Sequence, residues 1–267
     1  MKRYKTNIFS LIITASIFSS CTKEISLDFI KTSPKIVIEG NVYDQPGPYI
    51  VKLSKSISLD ETGDYPAVSG AIVIIRDNAG NVDTLKESIS GTYKTSSLQG
   101  IPGRTYSLMV IAESKTYSAK STMPFPVNID TLSFVKSNFS FGSDSTKELS
   151  VRLKDPVDTI NYYRFVEYIN DIRISSFNVS DDRILEEGNI LNYSIQGQGS
   201  DNKLKIGDKV TMWLESVDKD AYEYFRTAGR QGGQSASPTN PTSNINNDAL
   251  GYFSACSVTK KSSIVTK

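Results

Sequence analysis

The sequence predicts an all-β protein: an N-terminal immunoglobulin-like β-sandwich, followed by a second antiparallel β domain that contains one short helix. Two observations favour this class. Apolar residues alternate with other residues over short stretches, as half-buried strands require, for example at Tyr106, Leu108 and Val110. Clusters of Gly, Pro, Asn and Asp interrupt these stretches at short intervals, which is typical of a sandwich built from many short strands.

The N-terminal sandwich is predicted over residues 35–124. Its strands, in chain order, are expected around 36–38, 49–53, 71–75, 82–85, 91–93, 106–110 and 117–119. Turn-forming residues separate them at 44–48, 77–81 and 100–103. The Pro124-Phe125-Pro126 segment marks the predicted end of the domain.

Two elements of this region resemble the prealbumin-like and carboxypeptidase-regulatory-like sandwiches. Gly91-Thr92-Tyr93 is similar to their Gly-x-Tyr strand. A Gly-x-x-Tyr-x-Leu element begins at Gly103. The resemblance implies that residues 35–124 adopt the same kind of sandwich.

The second β-rich domain is predicted over residues 125–267. Alternating apolar positions predict its strands at 149–153, 172–174 and 210–214, and a last strand at 250–258.

One helix is predicted over residues 219–228. Its apolar residues fall at i, i+3, i+4 and i+7, namely Ala221, Tyr224, Phe225 and Ala228. Asp218 is expected to cap the start of the helix, and the following glycine at 229 its end. The loop at 230–248 consists mainly of Gly, Ser, Pro and Asn and has little to bury, so it is expected to be irregular and either functional or mobile.

Residues 1–20 have the features of a secretory signal peptide. A basic start at Lys2, Arg3 and Lys5 is followed by an apolar run that is too short for a membrane-spanning helix and then by Ser19-Ser20. The small pair directly before Cys21 resembles the lipobox of bacterial lipoproteins, which implies a diacylated Cys21 at the start of the mature chain. Residues 21–34 are then a lipidated tether. The alternative is an ordinary signal peptide with Cys21 left as a free thiol.

The composition excludes several classes of function. The chain contains no histidine, which removes the commonest general base and metal ligand. Loss of the signal peptide leaves 27 basic against 29 acidic side chains, a net charge of −2, so nothing in the charge favours nucleic acid. Cys256 lies in a predicted strand and is interpreted as a buried structural thiol, since no histidine could activate it. We expect no enzyme, no cofactor and no metal site.

Nine short motifs follow one another along the mature chain. They are Val-Ile-Glu-Gly at 37–40, Gln-Pro-Gly-Pro-Tyr at 45–49, Val-Ser-Gly-Ala at 68–71, Gly-Arg-Thr-Tyr-Ser-Leu at 103–108, Tyr-Ser-Ala at 117–119, Met-Pro at 123–124, Ala-Tyr-Glu-Tyr at 221–224, Pro-Thr-Asn-Pro-Thr-Ser-Asn-Ile at 238–245 and Leu-Gly-Tyr-Phe at 250–253. Their order and spacing resemble a family of Bacteroidetes outer-membrane lipoproteins classed only as a domain of unknown function and often encoded near TonB-dependent receptors. The resemblance covers nearly all of the mature chain and implies no catalytic residues.

A second resemblance concerns modification. Bacteroidetes O-glycosylation favours Asp followed by Ser or Thr and then a small or aliphatic residue. Four sites match this pattern and are predicted acceptors: Thr84, Thr131, Ser145 and Thr159. The alternative is a chance match, with a turn or a strand edge at each site.

Two groups of acidic residues have side chains suited to catalysis or metal binding. Asp181-Asp182 and Glu186-Glu187 could supply a carboxylate pair for glycoside hydrolysis, but no spacing places two carboxyl groups across a bond, and a solvated face is favoured. Oxygens around Asp77 and Asp83 could bind calcium, although a hairpin turn explains these residues more simply.

Four residues in or beside the Pro- and Asn-rich loop are the candidates for contact with a partner or ligand: Tyr252 and Phe253 beside it, and Asn240 and Asn244 within it. Most of the other tyrosines are assigned to cross-strand pairing within the sheets, the alternative being a platform for stacking a sugar.

The expected function is that of an outer-membrane lipoprotein, held by its lipid at the periplasmic face or the cell surface. It would act as a non-catalytic accessory partner of a TonB-dependent transporter in nutrient uptake. The alternative is a surface adhesion or glycan-binding module that works without a transporter.

Overall fold

The fold is known from a computed structural model, which describes residues 33–58, 61–136, 147–157, 159–186, 190–195, 204–230 and 239–266. The predicted signal peptide and Cys21 lie outside these ranges, as does most of the predicted tether. The regular secondary structure of the described residues is almost entirely β, which confirms the predicted fold class.

The described residues form sixteen strands, one α-helix and a short 3₁₀ turn (Asp182–Ile184). The strands are β1 (Ile36–Tyr43), β2 (Ile50–Lys55), β3 (Ile72–Asp77), β4 (Val82–Thr84), β5 (Lys86–Ile89), β6 (Thr92–Lys94), β7 (Thr105–Ala112), β8 (Lys115–Thr122), β9 (Ile129–Lys136), β10 (Lys147–Lys154), β11 (Tyr162–Ile169), β12 (Ile172–Arg173), β13 (Asn178–Asp181), β14 (Ile190–Ile195), β15 (Lys209–Val217) and β16 (Leu250–Ile264). The helix is α1 (Lys219–Gly229).

The first sandwich consists of two sheets that share one core. One sheet has the order β5-β6-β2-β1, with β16 added in parallel beside β1, and the other has the order β4-β3-β7-β8. The core combines residues of both sheets, among them Ile38, Val51, Val73 and Leu108. Each fully buried aliphatic side chain contributes about 1.5–3 kcal/mol, so this core holds the two sheets together.

The second sandwich follows the same plan. One sheet has the order β12-β11-β15-β16, with β13 also paired to β11, and the other has the order β14-β10-β9. Their common core includes Leu149, Val151, Phe165, Met212 and Leu214. The apolar residues at alternate positions of 149–153 and 210–214 are therefore buried in this core, as the sequence predicts.

Strand β16 belongs to both sandwiches. Its residues 250–256 pair in parallel with β1, and its residues 257–264 pair antiparallel with β15. Phe253 and Ala255 contribute to the first core, while Val265 just beyond the strand contributes to the second. The C-terminal strand thus joins these two sheets into one nine-stranded sheet, in the order β12-β11-β15-β16-β1-β2-β6-β5 with β13 beside β11, and both sandwiches share it.

The predicted division at residues 124 and 125 stays a prediction. All described strands belong to one compact unit, made of residues 34–57 and 63–267. The sheet that contains β1 also contains β16, so strands from both sides of the predicted boundary share hydrogen bonds.

Helix α1 begins where the sequence places it. The Asp218 carboxylate accepts a hydrogen bond from the Ala221 amide at 3.0 Å, as an N-cap does. The C-terminal end differs from the expectation, because residue 229 is the last helical residue and not the cap. The cap is Arg230, which has a right-handed helical backbone conformation and donates its amide hydrogen to Ala228 O. The helix buries Tyr222 and Phe225 against the outer face of the β11–β15–β16 sheet.

Candidate functional site

The sheet face beneath helix α1 is unusually polar for a buried surface. Side chains alternate along a strand, so the neighbours of the core residues Leu214 and Phe253 point the opposite way, towards the helix. These outward positions carry Glu39 and Asn41 on β1, Arg164 on β11, Glu215 on β15, and Tyr252, Ser254 and Cys256 on β16. Charged and hydroxyl groups therefore lie where an apolar helix contact would be expected.

A buried ion pair lies in this layer. Arg164 and Glu215 face each other on adjacent strands, with Arg164 Nη1 at 3.0 Å from Glu215 Oε2 and side chains only 5% and 3% exposed. The guanidinium carbon lies 3.8 Å from the centroid of the Phe225 ring, in cation–π contact. Burial lowers the pKa of Arg164, but the Glu215 carboxylate, together with smaller contributions from Tyr252, Tyr43 and Cys256, raises it by more in total, so the guanidinium remains charged.

Four polar atoms in or beside this layer lack hydrogen-bond partners among the described residues. They are Arg164 Nε, Ser176 Oγ, the Asn41 side-chain oxygen and Ser254 Oγ, all fully enclosed. The Asn41 side-chain nitrogen, in contrast, donates to Tyr252 Oη at 3.0 Å. A buried polar atom without a partner is unfavourable by about 1–3 kcal/mol, and native proteins retain few of them. Their concentration under one helix marks this layer as the candidate functional site.

A cavity of about 390 Å³ opens beside these groups. Its walls come from β1, β11, β16, helix α1 and the segment at 173–177, and they include Glu39, Arg164, Arg173, Ser176, Tyr224 and Tyr252. Phe177 and Phe225 complete the aromatic part of the wall. The volume lies within the range of cavities that hold small organic ligands.

The cavity has one free charge of each sign. Glu39 and Arg173 are exposed, and neither forms an ion pair with any residue that the structure describes. The Arg164 charge is compensated by Glu215. The four charges of the site therefore sum to zero, with one carboxylate and one guanidinium open to solvent.

The aromatic wall is a packed cluster. The ring centroids of Tyr224 and Tyr252 are 4.7 Å apart, and Phe225 lies 4.7 Å from Tyr252. Burial raises the pKa of Tyr224, and the nearby Glu39 carboxylate adds to the effect. Burial also raises the pKa of Tyr252. Both phenols are therefore neutral hydroxyl groups at physiological pH, able to donate and to accept hydrogen bonds.

The structure separates the four predicted contact residues. Tyr252 lines the cavity, whereas Phe253 is fully buried in the first core. Asn244 pairs with the backbone of that residue, donating to its carbonyl oxygen at 2.7 Å and accepting from its amide at 2.9 Å. Asn240 is exposed and lies away from the cavity lining. Only one of the four therefore belongs to the candidate site.

Among the site residues that the sequence prediction missed, Arg164 could have been recognised from its neighbours. Arg164 interrupts the run Tyr162-Tyr163-Arg164-Phe165-Val166, and an arginine in an otherwise apolar strand needs a partner. That partner, Glu215, is 51 residues away, so no local pattern identifies it. Glu39 and Arg173 have no signal of this kind, because isolated charges on exposed strand positions are ordinary.

The other acidic groups that the sequence offers for chemistry have structural partners where the structure describes them; Glu187 lies outside the described residues. The Asp181 carboxylate accepts hydrogen bonds from Tyr222 Oη at 2.8 Å and Arg183 Nε at 2.8 Å. Glu186 accepts from Asn192 at 2.5 Å. Asp77, considered for calcium, accepts from Arg104 at 2.7 Å as well as from the hairpin residues 79 and 81. These contacts give each carboxylate a role in its own turn or strand.

Three of the four predicted glycosylation residues are exposed: Thr84, Thr131 and Thr159. Ser145 lies outside the described residues. Exposure is compatible with modification, which stays a prediction.

Only one of the two cysteines, Cys256, lies among the described residues. Cys256 is a free, fully buried thiol, and burial raises its pKa well above the usual value, which keeps it protonated and unreactive. Cys21, the predicted lipidation site, is outside the described residues. Within the described part of the chain, no helix has the length and apolar character needed to cross a membrane.

Comparisons with known proteins give a family but no curated relative. The family model described as "Domain of unknown function (DUF4249)" matches residues 22–262. No curated protein matches.

Three solved structures have distant likeness to the chain. A two-domain fibronectin type III segment of chicken tenascin is 13% identical, with 88% of this chain and 100% of that chain covered and a TM-score of 0.23. The Yersinia pseudotuberculosis adhesin InvE is 19% identical, with 68% and 55% covered and a TM-score of 0.22. A Bacteroides uniformis protein assigned provisionally to carbohydrate binding is 8% identical, with 69% and 90% covered and a TM-score of 0.23. No shared function follows at these TM-scores.

Proposed function

The chain belongs to the DUF4249 family, a domain of unknown function, and on that premise we propose that it is a lipid-anchored, non-catalytic binding protein of the outer membrane. Its role is to assist a TonB-dependent transporter in nutrient uptake. The observation that carries the binding role is the polar layer under α1, where unpartnered buried groups adjoin a cavity of about 390 Å³. Buried polar groups that lack partners within the protein are suited to receive them from a ligand.

The anchor is proposed from the sequence around Cys21. Its thiol follows the signal peptide and a small residue pair, and the first strand begins only at Ile36. The intervening tether allows the β-body to stand away from the bilayer. Two or more acyl chains hold a protein stably at a membrane, since each buried CH₂ contributes about 0.8 kcal/mol.

Replacement of the acylated residue tests the anchor. Cys21→Ser should leave the membrane fraction and lose labelling by palmitate, while the matched variant Cys256→Ala should retain both. A Cys21→Ser protein that still fractionates with membranes, with unchanged processing and mass, would contradict the proposal.

Affinity purification from native membranes tests the transporter role. Recovery of a β-barrel receptor with the full-length protein supports it. Specific retention on glycan or host-surface arrays, without a receptor in the purified material, would instead support the adhesion or glycan-binding alternative. Hydrolytic turnover of glycans or peptides that is lost in Asp181→Asn or Glu186→Gln would overturn the non-catalytic assignment.

A further inference from the structure

We propose that the cavity beneath α1 binds a small zwitterion of the amino-acid class, a free amino acid or a short peptide that carries both a carboxylate and an ammonium group. The inference deepens the proposed function by naming the ligand class of the same site. It rests on the charges at the cavity, on the unpartnered donors in its wall and on the aromatic rings between them.

The charges favour a ligand with both signs. Glu39 and Arg173 each lack an ion-pair partner among the described residues, and both line the cavity. Arg164 is already compensated by Glu215 at 3.0 Å. A lone anion or a lone cation would leave one wall charge uncompensated, whereas a zwitterion compensates both.

The donors favour a carboxylate at the Arg173 end. Arg164 presents a guanidinium whose Nη1 is bonded to Glu215 and whose Nε has no partner, and Ser176 Oγ has none either. The guanidinium edge that carries Nε matches the two oxygens of a carboxylate. Both atoms are fully enclosed, so a small shift of the Ser176 segment would accompany binding. Arg173 belongs to the same segment and adds an exposed positive charge.

The aromatic rings favour an ammonium group near Glu39. The hydroxyl groups of Tyr224 and Tyr252 lie close enough to Glu39 for its charge to raise the pKa of both phenols. An ammonium group placed over a tyrosine face gains about 0.5–2 kcal/mol, in addition to its attraction to a carboxylate. The remaining wall, with Phe177 and Phe225, suits an apolar side chain.

The experiment is calorimetric titration of the purified full-length mature protein in detergent. The probes are L-phenylalanine and Gly-Phe as zwitterions, N-acetyl-phenylalanine as anion, phenylalanine amide as cation, and N-acetyl-phenylalanine amide and glucose as neutral ligands. We expect the zwitterions to bind at least tenfold more tightly than every blocked form. Equal affinity across the series, tightest binding of glucose, or no heat from any probe would overturn the inference.

Charge variants identify the contacts. Glu39→Gln should bind L-phenylalanine no better than N-acetyl-phenylalanine, and Arg173→Gln should bind it no better than the amide. Arg76→Gln, an exposed arginine on β3, is the matched control and should retain the wild-type order. A wild-type order in Glu39→Gln and Arg173→Gln would place the ligand elsewhere and contradict the inference. Receptor recovery with these two variants separates failure of the ligand assignment from failure of the transporter role.

Discussion

At the scale of single residues, two glycines illustrate how similar backbone angles have different consequences. Gly251 has φ +96° at the start of β16, and a Cβ atom there would lie 2.0 Å from the Ile38 carbonyl oxygen on β1. Gly80 has φ +90° in the β3–β4 hairpin, with nothing within 4 Å of the same position. Both need a left-handed conformation, but only Gly251 also needs the absence of a side chain.

Alanine at each glycine should separate the two requirements. Gly80→Ala should lower the free energy of unfolding by about 1–2 kcal/mol, the value of left-handed strain alone. Gly251→Ala should lower it by at least about 3 kcal/mol, because the clash with β1 adds an overpacking term to that strain. Urea denaturation followed by circular dichroism measures both. Equal losses would contradict the close approach of β16 to β1.

Asp83 shows how a carboxylate can organise a loop. Its side chain accepts hydrogen bonds at 2.9 Å from the amides of residues 96, 97 and 98 and from Ser96 Oγ. Burial raises the pKa of Asp83, but these hydrogen bonds together lower it by more, so the folded-state pKa lies below the usual value. The contacts therefore stabilise the fold above pH 4 or so, where an unfolded aspartate is ionised, and are lost as the pH falls through the folded-state pKa.

The Asp83→Asn variant tests this pH dependence. It should lose about 1–3 kcal/mol at pH 7, since an amide cannot accept at both positions. The difference from the wild type should shrink as the pH is lowered below about 4. Asp130→Asn, which changes an exposed aspartate on β9, should show no such trend. Chemical denaturation at a series of pH values gives the comparison, and a pH-independent difference for Asp83→Asn would refute the assignment.

Residue-scale roles could be predicted from the sequence only where the cause is local. The hairpin at 77–81 is coded by its own Asp, Asn and Gly residues, and β3 and β4 pair across it. Phe253 was predicted as a contact residue because it adjoins a polar loop, yet it is fully buried. The sequence shows that Tyr252 and Phe253 point to opposite faces of β16. Which of the two faces packs against the core depends on strands that are distant in the chain.

At the scale of elements, helix α1 is the clearest success of sequence patterning. The spacing of its apolar residues and its Asp218 cap can both be recognised in the sequence, and the helix spans Lys219–Gly229. The cap has a second role that the sequence does not predict. The same carboxylate also accepts from Ser121 Oγ at 2.7 Å and from the Thr122 amide at 3.0 Å, which links the helix to the end of β8.

Replacement of the cap should therefore be more damaging than loss of a helix cap alone. Asp218→Ala is expected to lower the free energy of unfolding by about 2–3 kcal/mol, since the helix amide, Ser121 and Thr122 all lose their acceptor. Asp220→Ala, in the exposed first turn, should lower it by about 0.3–1 kcal/mol through the helix dipole. Thermal and urea unfolding provide the values. A loss for Asp218→Ala no larger than that for Asp220→Ala would exclude the link to β8.

The described residues 239–248 of the predicted loop are irregular, as their composition predicts. They are also held by long-range contacts, because Ile245 and the adjoining Ala249 are buried in the first core and Asn246 exchanges hydrogen bonds with Ser118. The contacts between Asn246 and Ser118 span 128 residues, beyond any local pattern. Ile172 is the converse case: predicted as a half-buried strand position, it is 70% exposed in a two-residue strand.

At the scale of the whole molecule, the C-terminal strand decides how the two sandwiches are related. The sequence predicts a last strand at 250–258. It contains no local pattern that could predict the pairing of this strand with β1, more than 200 residues away. The first half of β16 pairs with β1 and its second half with β15. The core of the first sandwich is therefore closed by residues that follow strands β9 to β15 of the second sandwich in the chain.

This arrangement predicts that residues 33–124 do not fold alone. The isolated fragment lacks the strand beside β1, as well as Phe253, Ala255 and Ile245 of its core. It should give a disordered circular dichroism spectrum and poorly dispersed amide resonances. The same fragment joined through a flexible Gly/Ser linker to residues 239–256 should recover both signals, because those residues supply the missing strand and core side chains.

In the full chain, Phe253→Ala should lower the free energy of unfolding by about 3–5 kcal/mol in a single transition. Cooperative folding of the isolated fragment, with the midpoint of the full chain, would mean that β16 is dispensable and that the boundary at residue 124 separates two autonomous domains.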